Sequence, residues 1–282
     1  MIERYDLSER RACRLVGLSR SAFRNPPLVT TENERLKARI IELAHVRRRF
    51  GYRRLHTLLQ REQADQPINH KRVYRLYSEA NLAVKKRNKR KRIAVARQPL
   101  LRPSRPNVVW SMDFVMDALS NGRRIKCLNI VDDFSKEAVD IAVDFGISGD
   151  YVTRILDRAA RFRGYPSAVR TDQGPEFTGK ALDRWAYRNN VEIKLIQPGK
   201  PTQNAYIESF NGKFRDECLN EHYFTTLAEA REIVSAWRKD YNEVRPHSTL
   251  GKLTPAEFAA RFREMGQNLE IQINFETKDF TN

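Results

Sequence analysis

Three acidic side chains in this 282-residue chain have the surroundings of a shared cation site. Asp113 lies within an apolar, strand-like run, and Asp172 follows a short apolar run that ends at a Gly-Pro turn. Glu208 lies on an amphipathic helical pattern. Ligands of open α/β sheets bind beyond the carboxyl ends of the strands. A carboxylate at such an end and another on a docked helix can share a divalent cation, so the pattern predicts a metal site.

Each of these acids also has a structural interpretation. Asp is common beside Gly-Pro turns, and a Glu on an amphipathic helix is usually solvated. Asp117 lies four residues after Asp113, on the same face of a regular strand, and Asp132 and Asp133 lie at another strand end. Asp113 is preferred because an unpaired carboxylate in the middle of an apolar strand is costly without a cation. Asp117 and Asp132 are interpreted as turn or supporting residues.

The segment around Glu208 predicts a helix with a polar and an apolar stripe. Thr202 or Asn204 can cap its start. The preceding segment, Gly199-Lys200-Pro201, is predicted to be a loop that bends at its Gly and Pro residues. The polar stripe consists of Asn204, Glu208, Asn211 and Arg215. The apolar stripe consists of Ile207, Phe210, Phe214 and Cys218. Such a helix buries its apolar stripe on a sheet and presents Glu208 at the margin.

The spacing of the acids resembles that of a known class of enzymes. Thirty-five residues separate Asp172 from Glu208, as in the D,D(35)E signature of transposases and retroviral integrases. The closer resemblance is to the insertion-sequence transposases of the IS-three family, in the form encoded by the second reading frame. That family's third-acid motif resembles residues 201–212, and its C-terminal signature resembles Arg245-Pro246-His247-Ser248 with Gly251 and Thr254-Pro255. Gln173 stands where the family commonly has Asn.

The resemblance implies an active site with two Mg²⁺ ions, for which Mn²⁺ can substitute. Asp113 would bridge the ions, with Asp172 on one and Glu208 on the other. Phosphodiester transfer needs an activated oxygen nucleophile and a stabilised 3′ oxygen, and two ions about 4 Å apart supply both. Magnesium prefers oxygen ligands, which this set provides. Lys213 and Arg215 would hold phosphates beside the scissile bond.

The implied reaction has two steps. Terminal inverted repeats are nicked by hydrolysis, and the freed 3′-hydroxyl then attacks target DNA. Joining two ends requires a homo-oligomer, at least a dimer on DNA, and relatives commonly gain a dimerising segment from an upstream reading frame as a partner or by fusion. Two alternatives stay open: a non-catalytic, sequence-specific DNA-binding repressor, and a ribonuclease-H-type nuclease. The intact acids disfavour the first, and amino-terminal helical modules disfavour the second.

Charge is distributed unevenly along the chain. Residues 1–105 contain 28 Lys and Arg against 9 Asp and Glu, whereas residues 106–282 contain 24 against 26. This asymmetry predicts a DNA-binding front half and a near-neutral catalytic back half. No apolar run approaches the ~18 residues that a membrane span requires, and no signal-peptide pattern is present. The cysteines and histidines lack zinc-ligand spacing. The sequence therefore predicts a cytoplasmic protein without membrane attachment.

The front half predicts two small all-α modules of helix-turn-helix type. Residues 1–27 contain two short helices broken at Gly17, which Ser8 and Ser19 can cap. Arg20 and Arg24 on the second helix are candidate DNA contacts. Residues 28–84 contain three helices, and Asn69 can cap the last of them. Basic residues line the last of them, which is the candidate reading helix, and these are Lys71, Arg72 and Arg75.

A basic linker over residues 85–105 separates these modules from the core. Seven of its first eight residues are basic and are predicted to bind phosphates: Lys85, Lys86, Arg87, Lys89, Arg90, Lys91 and Arg92. The core, residues 106–265, predicts three antiparallel strands and then alternating helices and strands. This is the order of a ribonuclease-H-like, α/β integrase catalytic core. Residues 266–282 form a C-terminal tail.

Overall fold

The computed structural model describes residues 5–25, 31–84, 103–196 and 204–263. The chain divides into two compact units, residues 1–86 and 87–282. Four sequence predictions fall outside the described residues. They concern the basic run from Lys85 to Arg92, the loop 199–201, the capping role of Thr202 and the tail 266–282.

The first unit begins with two short helices, α1 (Glu9–Leu15) and α2 (Arg20–Arg24). Gly17 separates them with a φ of +67°, a conformation that glycine adopts without steric cost. The Ser19 hydroxyl caps α2 by accepting a hydrogen bond from the Ala22 backbone N–H at 3.1 Å, as predicted. Ser8 is the N-cap residue of α1, but its side chain makes no capping hydrogen bond, so its predicted capping role is wrong.

Three longer helices complete the first unit: α3 (Thr31–Val46), α4 (Tyr52–Glu62) and α5 (His70–Glu79). The side chain of Asn69 caps α5 by accepting a hydrogen bond from the Lys71 backbone N–H at 2.9 Å, as predicted. Apolar residues at helical spacing on all three helices form one buried core. Its buried members are Leu36, Ile40, Phe50, Leu55, Leu58, Leu59, Val73, Leu76 and Tyr77.

The second unit is built on a five-stranded sheet with the order β3-β2-β1-β4-β5. The strands are β1 (Val109–Ala118), β2 (Arg124–Asp132), β3 (Ala138–Asp144), β4 (Ala168–Thr171) and β5 (Glu192–Leu195). β2 is antiparallel to both β1 and β3, and β4 and β5 run parallel to β1. The sequence predicted this order of three antiparallel strands followed by strands that alternate with helices.

Helices cover both faces of the sheet. The apolar residues of α6 (Gly149–Ala160) and α7 (Lys180–Arg188) join one core cluster with those of the sheet. Those of α8 (Ala205–Glu217) and α9 (Leu227–Glu243) join a second. A further helix, α10, spans residues 255–263. Both faces therefore have apolar cover, as a mixed α/β fold requires.

Alternation along β1 decides which face carries the first acid. Trp110 and Met112 belong to the core on the α6 and α7 side, whereas Val115 belongs to the core on the α8 and α9 side. Successive side chains of a strand point to opposite faces. Asp113 therefore lies on the same face as Val115, which is the face that α8 covers.

Candidate active site

Asp113 lies on β1, and Asp172 directly follows β4, the parallel neighbour of β1. The last register pair between β1 and β4 joins Ser111 to Arg170. β4 ends at Thr171, so Asp172 lies just beyond the paired residues, near enough to Asp113 for their charges to interact. Asp113 is half-buried in the middle of β1, and Asp172 is exposed directly after β4, where the sequence predicted it.

The tight turn after β4 fixes the Asp172 carboxylate. Its Oδ1 accepts a hydrogen bond from the Gly174 backbone N–H at 3.0 Å. A Cβ added at Gly174 would lie 3.2 Å from that oxygen and 3.4 Å from Oε2 of Glu176. The glycine is therefore needed for close approach, and the turn brings Glu176 near Asp172.

An ion pair that sequence reasoning missed holds this turn to the sheet. Glu176 pairs with Lys126 of β2, and their side chains are 24% and 12% exposed. This hydrogen bond lowers the pKa of the Glu176 carboxyl. The Lys126 ammonium also lies 3.8 Å from the centre of the Phe114 ring, which stacks on Phe177 at 5.0 Å. These contacts fix the segment after Asp172 against β1 and β2.

Glu208 lies in the first turn of α8 and is exposed. The predicted apolar stripe of this helix is buried, which docks the helix on the sheet. Asn204 is the N-cap residue, but its side chain makes no capping bond, and its buried Oδ1 has no hydrogen-bond partner among the described residues. The predicted cap at Asn204 is therefore wrong. Its backbone angles, φ −107° and ψ 10°, differ from the extended conformation that a capping side chain requires.

Asn211 links the helix of Glu208 to the first acid. Its Nδ2 donates a hydrogen bond to Asp113 Oδ2 at 2.8 Å, and its Oδ1 accepts one from Asn129 Nδ2 at 2.7 Å. Asn129 is fully buried on β2, directly opposite Asp113 in the register. The other oxygen of Asp113 accepts from the Phe114 backbone N–H at 2.8 Å. Sequence reasoning placed Asn211 on the polar stripe without assigning it a role, although it stands one turn after Glu208.

The electrostatics join the three acids in one cluster. Burial, together with the negative charges of Asp172 and Glu208, raises the pKa of Asp113 to about 6, although the bonds from the Phe114 N–H and Asn211 act in the opposite direction. Within the described ranges, however, no three His, Cys, Asp or Glu side chains converge closely enough to hold a metal ion. The acids are therefore neighbours, but in this conformation they do not form a complete ligand set.

The raised pKa of Asp113 predicts a pH-dependent stability of the protein in EDTA. A carboxyl whose folded pKa exceeds its unfolded value stabilises the fold below the unfolded pKa, near 3.8, and loses this contribution as pH rises through about 6. Asp113→Asn should therefore raise the melting temperature more at pH 7.5 than at pH 4.5. Thermal unfolding at the two pH values measures this.

The matched control is Asp117→Asn, which removes the same charge from the same face of β1. Asp117 lies four residues, or about 13 Å, further along the strand. It should give a smaller difference between the two pH values. Equal differences for both variants would contradict a special environment at Asp113.

The neighbouring acids have structural partners. Asp132 is fully buried and accepts hydrogen bonds from the backbone N–H groups of Phe134 and Ser135, at 3.0 and 2.7 Å, so it is the turn residue that the sequence predicted. Asp133 is also fully buried and forms an ion pair with Arg170 at 2.5 Å. Both carboxylates are thus used by the fold.

The Arg-Pro-His motif of the C-terminal signature holds the far end of α8. Arg245, only 2% exposed, donates to both oxygens of Glu217 at 2.6 Å. It also donates to His247 Nε2 at 3.3 Å, and the His247 ring packs edge-on against Tyr241 of α9 at 4.8 Å. This buried cluster ties the helix of Glu208 to α9.

The two basic residues predicted beside the scissile bond both lie on α8. Lys213 Nζ donates to the hydroxyl of Ser209, one turn earlier, at 2.9 Å. Arg215 is exposed and donates to the backbone carbonyl of Met116 on β1 at 2.8 Å. Arg215 therefore lies near the carboxyl-terminal end of β1, two helical turns from Glu208.

The candidate DNA contacts of the first unit differ in their exposure and in the intramolecular bonds that their side chains form. Arg20 and Lys71 are exposed at the starts of α2 and α5. Arg24 forms an ion pair with Glu9 at 3.0 Å, yet its side chain is 64% exposed. Arg75 is exposed on α5. By contrast, Arg72 donates hydrogen bonds to Asn33 and Glu32 within the fold, both at 2.8 Å.

Comparisons with known proteins match both units. Residues 31–90 match an HTH-like domain, and residues 103–201 and 189–255 match two families described as integrase core domain. The 31.7 kDa protein of insertion element IS407 from Burkholderia multivorans is 69% identical over 93% of this chain and 94% of its own length. The putative transposase InsK of insertion sequence IS150 from Escherichia coli is 29% identical over 79% of this chain and 82% of its own.

A solved structure supports the fold of the second unit. The simian T-cell lymphotropic virus intasome in complex with PP2A regulatory subunit B56 gamma contains a chain that is 16% identical and aligns with a TM-score of 0.50. The alignment covers 72% of this chain and 74% of that one. None of the helices within the described ranges has the length and apolar character to span a bilayer.

The sheet order, the two helical layers and these matches define the protein class. It has a ribonuclease-H-like integrase core preceded by an HTH-like domain, which confirms the predicted fold class. The identity with the insertion-element proteins then fixes the family. The chain belongs to the insertion-sequence transposases of the IS-three family.

Proposed function

We propose that the protein nicks DNA at the ends of its insertion sequence and transfers the freed 3′ ends to target DNA, which integrates the element. One observation carries this proposal. The Asp113 carboxylate bonds to the Glu208 helix through Asn211 and experiences the negative charges of Asp172 and Glu208. A solvated surface Asp would have none of these relations.

Asp113, Asp172 and Glu208 are the proposed ligands of two Mg²⁺ ions, for which Mn²⁺ can substitute. The donor set fits, because all its atoms are carboxylate oxygens, which Mg²⁺ prefers. Burial is the main cause of the raised pKa of Asp113, and the negative charges of Asp172 and Glu208 add to it, which a cation would neutralise. When bound, the ions would activate the attacking water or 3′-hydroxyl and stabilise the departing oxygen.

The chain's own groups prepare the acids for this chemistry. Asn211 and the Phe114 N–H each occupy one oxygen of Asp113 and thereby fix the plane of its carboxylate. The Gly174 N–H fixes Asp172 in the same way. Lys213 and Arg215 are proposed to bind the DNA phosphates that flank the scissile bond, exchanging their present oxygen acceptors for phosphate oxygens.

We place the DNA affinity of the chain mainly in its basic front half, including Arg20, Arg24 and the run from Lys85 to Arg92. Assembly is proposed to occur on DNA, as at least a dimer, because two element ends must be joined. Like charges on two front halves repel until phosphates neutralise them. We also propose that a product of an upstream reading frame supplies a dimerising segment, as a partner or by fusion. The protein is proposed to act in the cytoplasm.

The decisive experiment incubates the purified chain with Mg²⁺ and a duplex that carries the terminal repeats flanking its gene. Nicking at the repeat end, followed by joining to a second duplex, is the expected result. Nicking without joining would indicate a nuclease. Sequence-specific binding without nicking, in either Mg²⁺ or Mn²⁺, would indicate a repressor and overturn the proposal.

A further inference from the structure

One stretch of the first unit is strongly basic and has no acidic residue of its own. Residues 43–61, which join α3 to α4 and include most of α4, contain six Arg and two His but no Asp or Glu. Arg48 and Arg53 of this stretch are exposed. Like charges at this density repel one another, so a polyanion is the complementary partner.

Aromatic contacts set this stretch beside the middle of α5. The Tyr52 ring lies 4.8 Å from the Tyr74 ring, and the His56 ring lies 6.3 Å from the His70 ring. Residue numbers rise along α4 as they fall along α5, so the two helices are antiparallel here. The start of α4 therefore lies next to Tyr74.

The same contacts build one continuous basic and aromatic surface. The Arg53 guanidinium lies 5.5 Å from the centre of the Tyr52 ring, which in turn contacts Tyr74. Tyr74 is 54% exposed, although it is a large aromatic residue. On α5, the exposed Lys71 lies one turn before Tyr74, and the exposed Arg75 lies one turn after Lys71. These five residues are called the Tyr74 surface.

The Tyr74 surface keeps a net positive charge, although one acidic residue, Glu79, lies near it on α5. Arg75 bonds to Glu79 one turn further on, at 3.3 Å, and both side chains are about half exposed. Exposed pairs of this kind contribute little and exchange readily for a stronger anion. Arg53 and Lys71 add two further positive charges.

Arg72 occupies a different side of α5. It donates to Asn33 Oδ1 and to Glu32 Oε1, both at 2.8 Å, so it ties α5 to the first turn of α3. The sequence grouped Arg72 with Lys71 and Arg75 as readers of DNA, because the three are close in sequence. Around the α5 axis, at about 100° per residue, Lys71 lies about 60° and Arg75 about 100° from Tyr74, whereas Arg72 lies about 160° away and bonds to α3.

We infer that the Tyr74 surface binds the phosphate backbone of duplex DNA, with Arg53 as a principal contact and Arg72 as a structural residue. This inference rests on the proposed function and names the part of the first unit that meets DNA. Arginine matches phosphate with two parallel hydrogen bonds, and a tyrosine hydroxyl donates to phosphate oxygens. Such contacts fix the position of the protein without reading sequence.

The test measures affinity by fluorescence anisotropy for the full chain, with Arg53→Gln and Tyr74→Ala as variants. Each binds a duplex carrying the terminal repeat and a scrambled duplex over a series of salt concentrations. Arg53→Gln should weaken binding to both duplexes about tenfold, the loss expected for one charge-assisted hydrogen bond. It should also lower the slope of log affinity against log salt by about 0.9. Tyr74→Ala should weaken both complexes with little change in slope.

Two control variants distinguish an effect specific to the Tyr74 surface from the effect of removing any positive charge. Arg35→Gln removes one exposed charge from α3, 11 residues or about 16 Å before the end of that helix, and should leave the slope unchanged. Arg72→Gln should lower the melting temperature but keep the wild-type slope. Wild-type affinity and slope in Arg53→Gln, or loss of slope only in Arg72→Gln, would overturn the inference.

The outcomes also distinguish this inference from the proposed function. If wild type nicks DNA and Arg53→Gln binds as wild type does, only the Tyr74 surface is wrong. If wild type binds neither duplex at any salt concentration, the proposed function fails as well. Binding of an acidic protein in place of DNA, with the same dependence on Arg53, would also reject the inference.

Discussion

Asp113→Asn, Asp172→Asn and Glu208→Gln are each expected to lower the rates of nicking and joining by at least about 10³-fold, the scale of loss when a positioned electrostatic group leaves an active site. Each substitution keeps the shape of the side chain and removes one negative charge. Asp113→Asn also disturbs the hydrogen bond from Asn211, since an amide must present its oxygen to keep that bond. Gel assays of nicking and joining on one DNA substrate measure the rates.

DNA affinity should survive these substitutions, because the proposed contacts lie mainly in the basic front half. Binding of the terminal-repeat duplex is therefore expected within about twofold of wild type, a change too small to involve a lost charge-assisted contact. Asp117→Asn, on the same face of β1, is the matched control and should retain activity. A variant of any of the three acids that still nicks at the wild-type rate would remove that residue from the site.

Arg245→Met is expected to destabilise the second unit by about 3–5 kcal/mol, the cost of leaving one partner of a buried ion pair unpaired. Glu217 would be left without its bidentate partner, and its side chain is only 9% exposed. The His247 ring would also lose the hydrogen bond from Arg245. Urea unfolding, followed by the fluorescence of the buried tryptophans of this unit, measures the change.

The double variant Arg245→Met with Glu217→Gln should be less destabilised than the sum of the two single variants, because neither charge remains buried alone. Arg231→Met is the exposed control. Arg231 pairs with Asp144 at 2.7 Å, but its side chain is 49% exposed, so a loss of about 1 kcal/mol or less is expected. Equal losses for Arg245→Met and Arg231→Met would contradict the importance of burial.

The buried pair also bears on activity. Arg245 holds the carboxyl-terminal end of α8, whose first turn carries Glu208. A helix released at one end can tilt, and shifts of about 1 Å in an active site can cost about 10²-fold in rate. This arrangement gives the C-terminal signature a physical role in the second unit, as the anchor of the third acid.

The sequence by itself determined the features that depend on local patterns. Helices α2 and α5 begin where Ser19 and Asn69 can cap them, and alternation along β1 placed Asp113 on one face of a strand. The apolar stripe of α8 predicted its buried face, and the order of strands and helices predicted the integrase-like core. These signals arise from neighbours within a few residues, which the chain specifies directly.

Tertiary structure alone decided which distant side chains meet. Asn211 and Asp113 are 98 residues apart, yet they share a hydrogen bond, and 50 residues separate Lys126 from its partner Glu176. Sequence periodicity assigns a residue to a face but does not name its partner across the sheet. The sheet register and the docking of α8 therefore supplied the contacts of the candidate site.

The two wrong capping predictions and the position of Arg72 have the same origin. Ser8 and Asn204 have suitable residue types, but capping also requires backbone and side-chain angles that composition does not specify. Arg72 lies next to Lys71 in sequence, but one residue along a helix is a rotation of about 100°, which turns it toward Glu32. Residue type determines which hydrogen bonds and ion pairs each side chain can form. The packing of the helices determines which of these it forms.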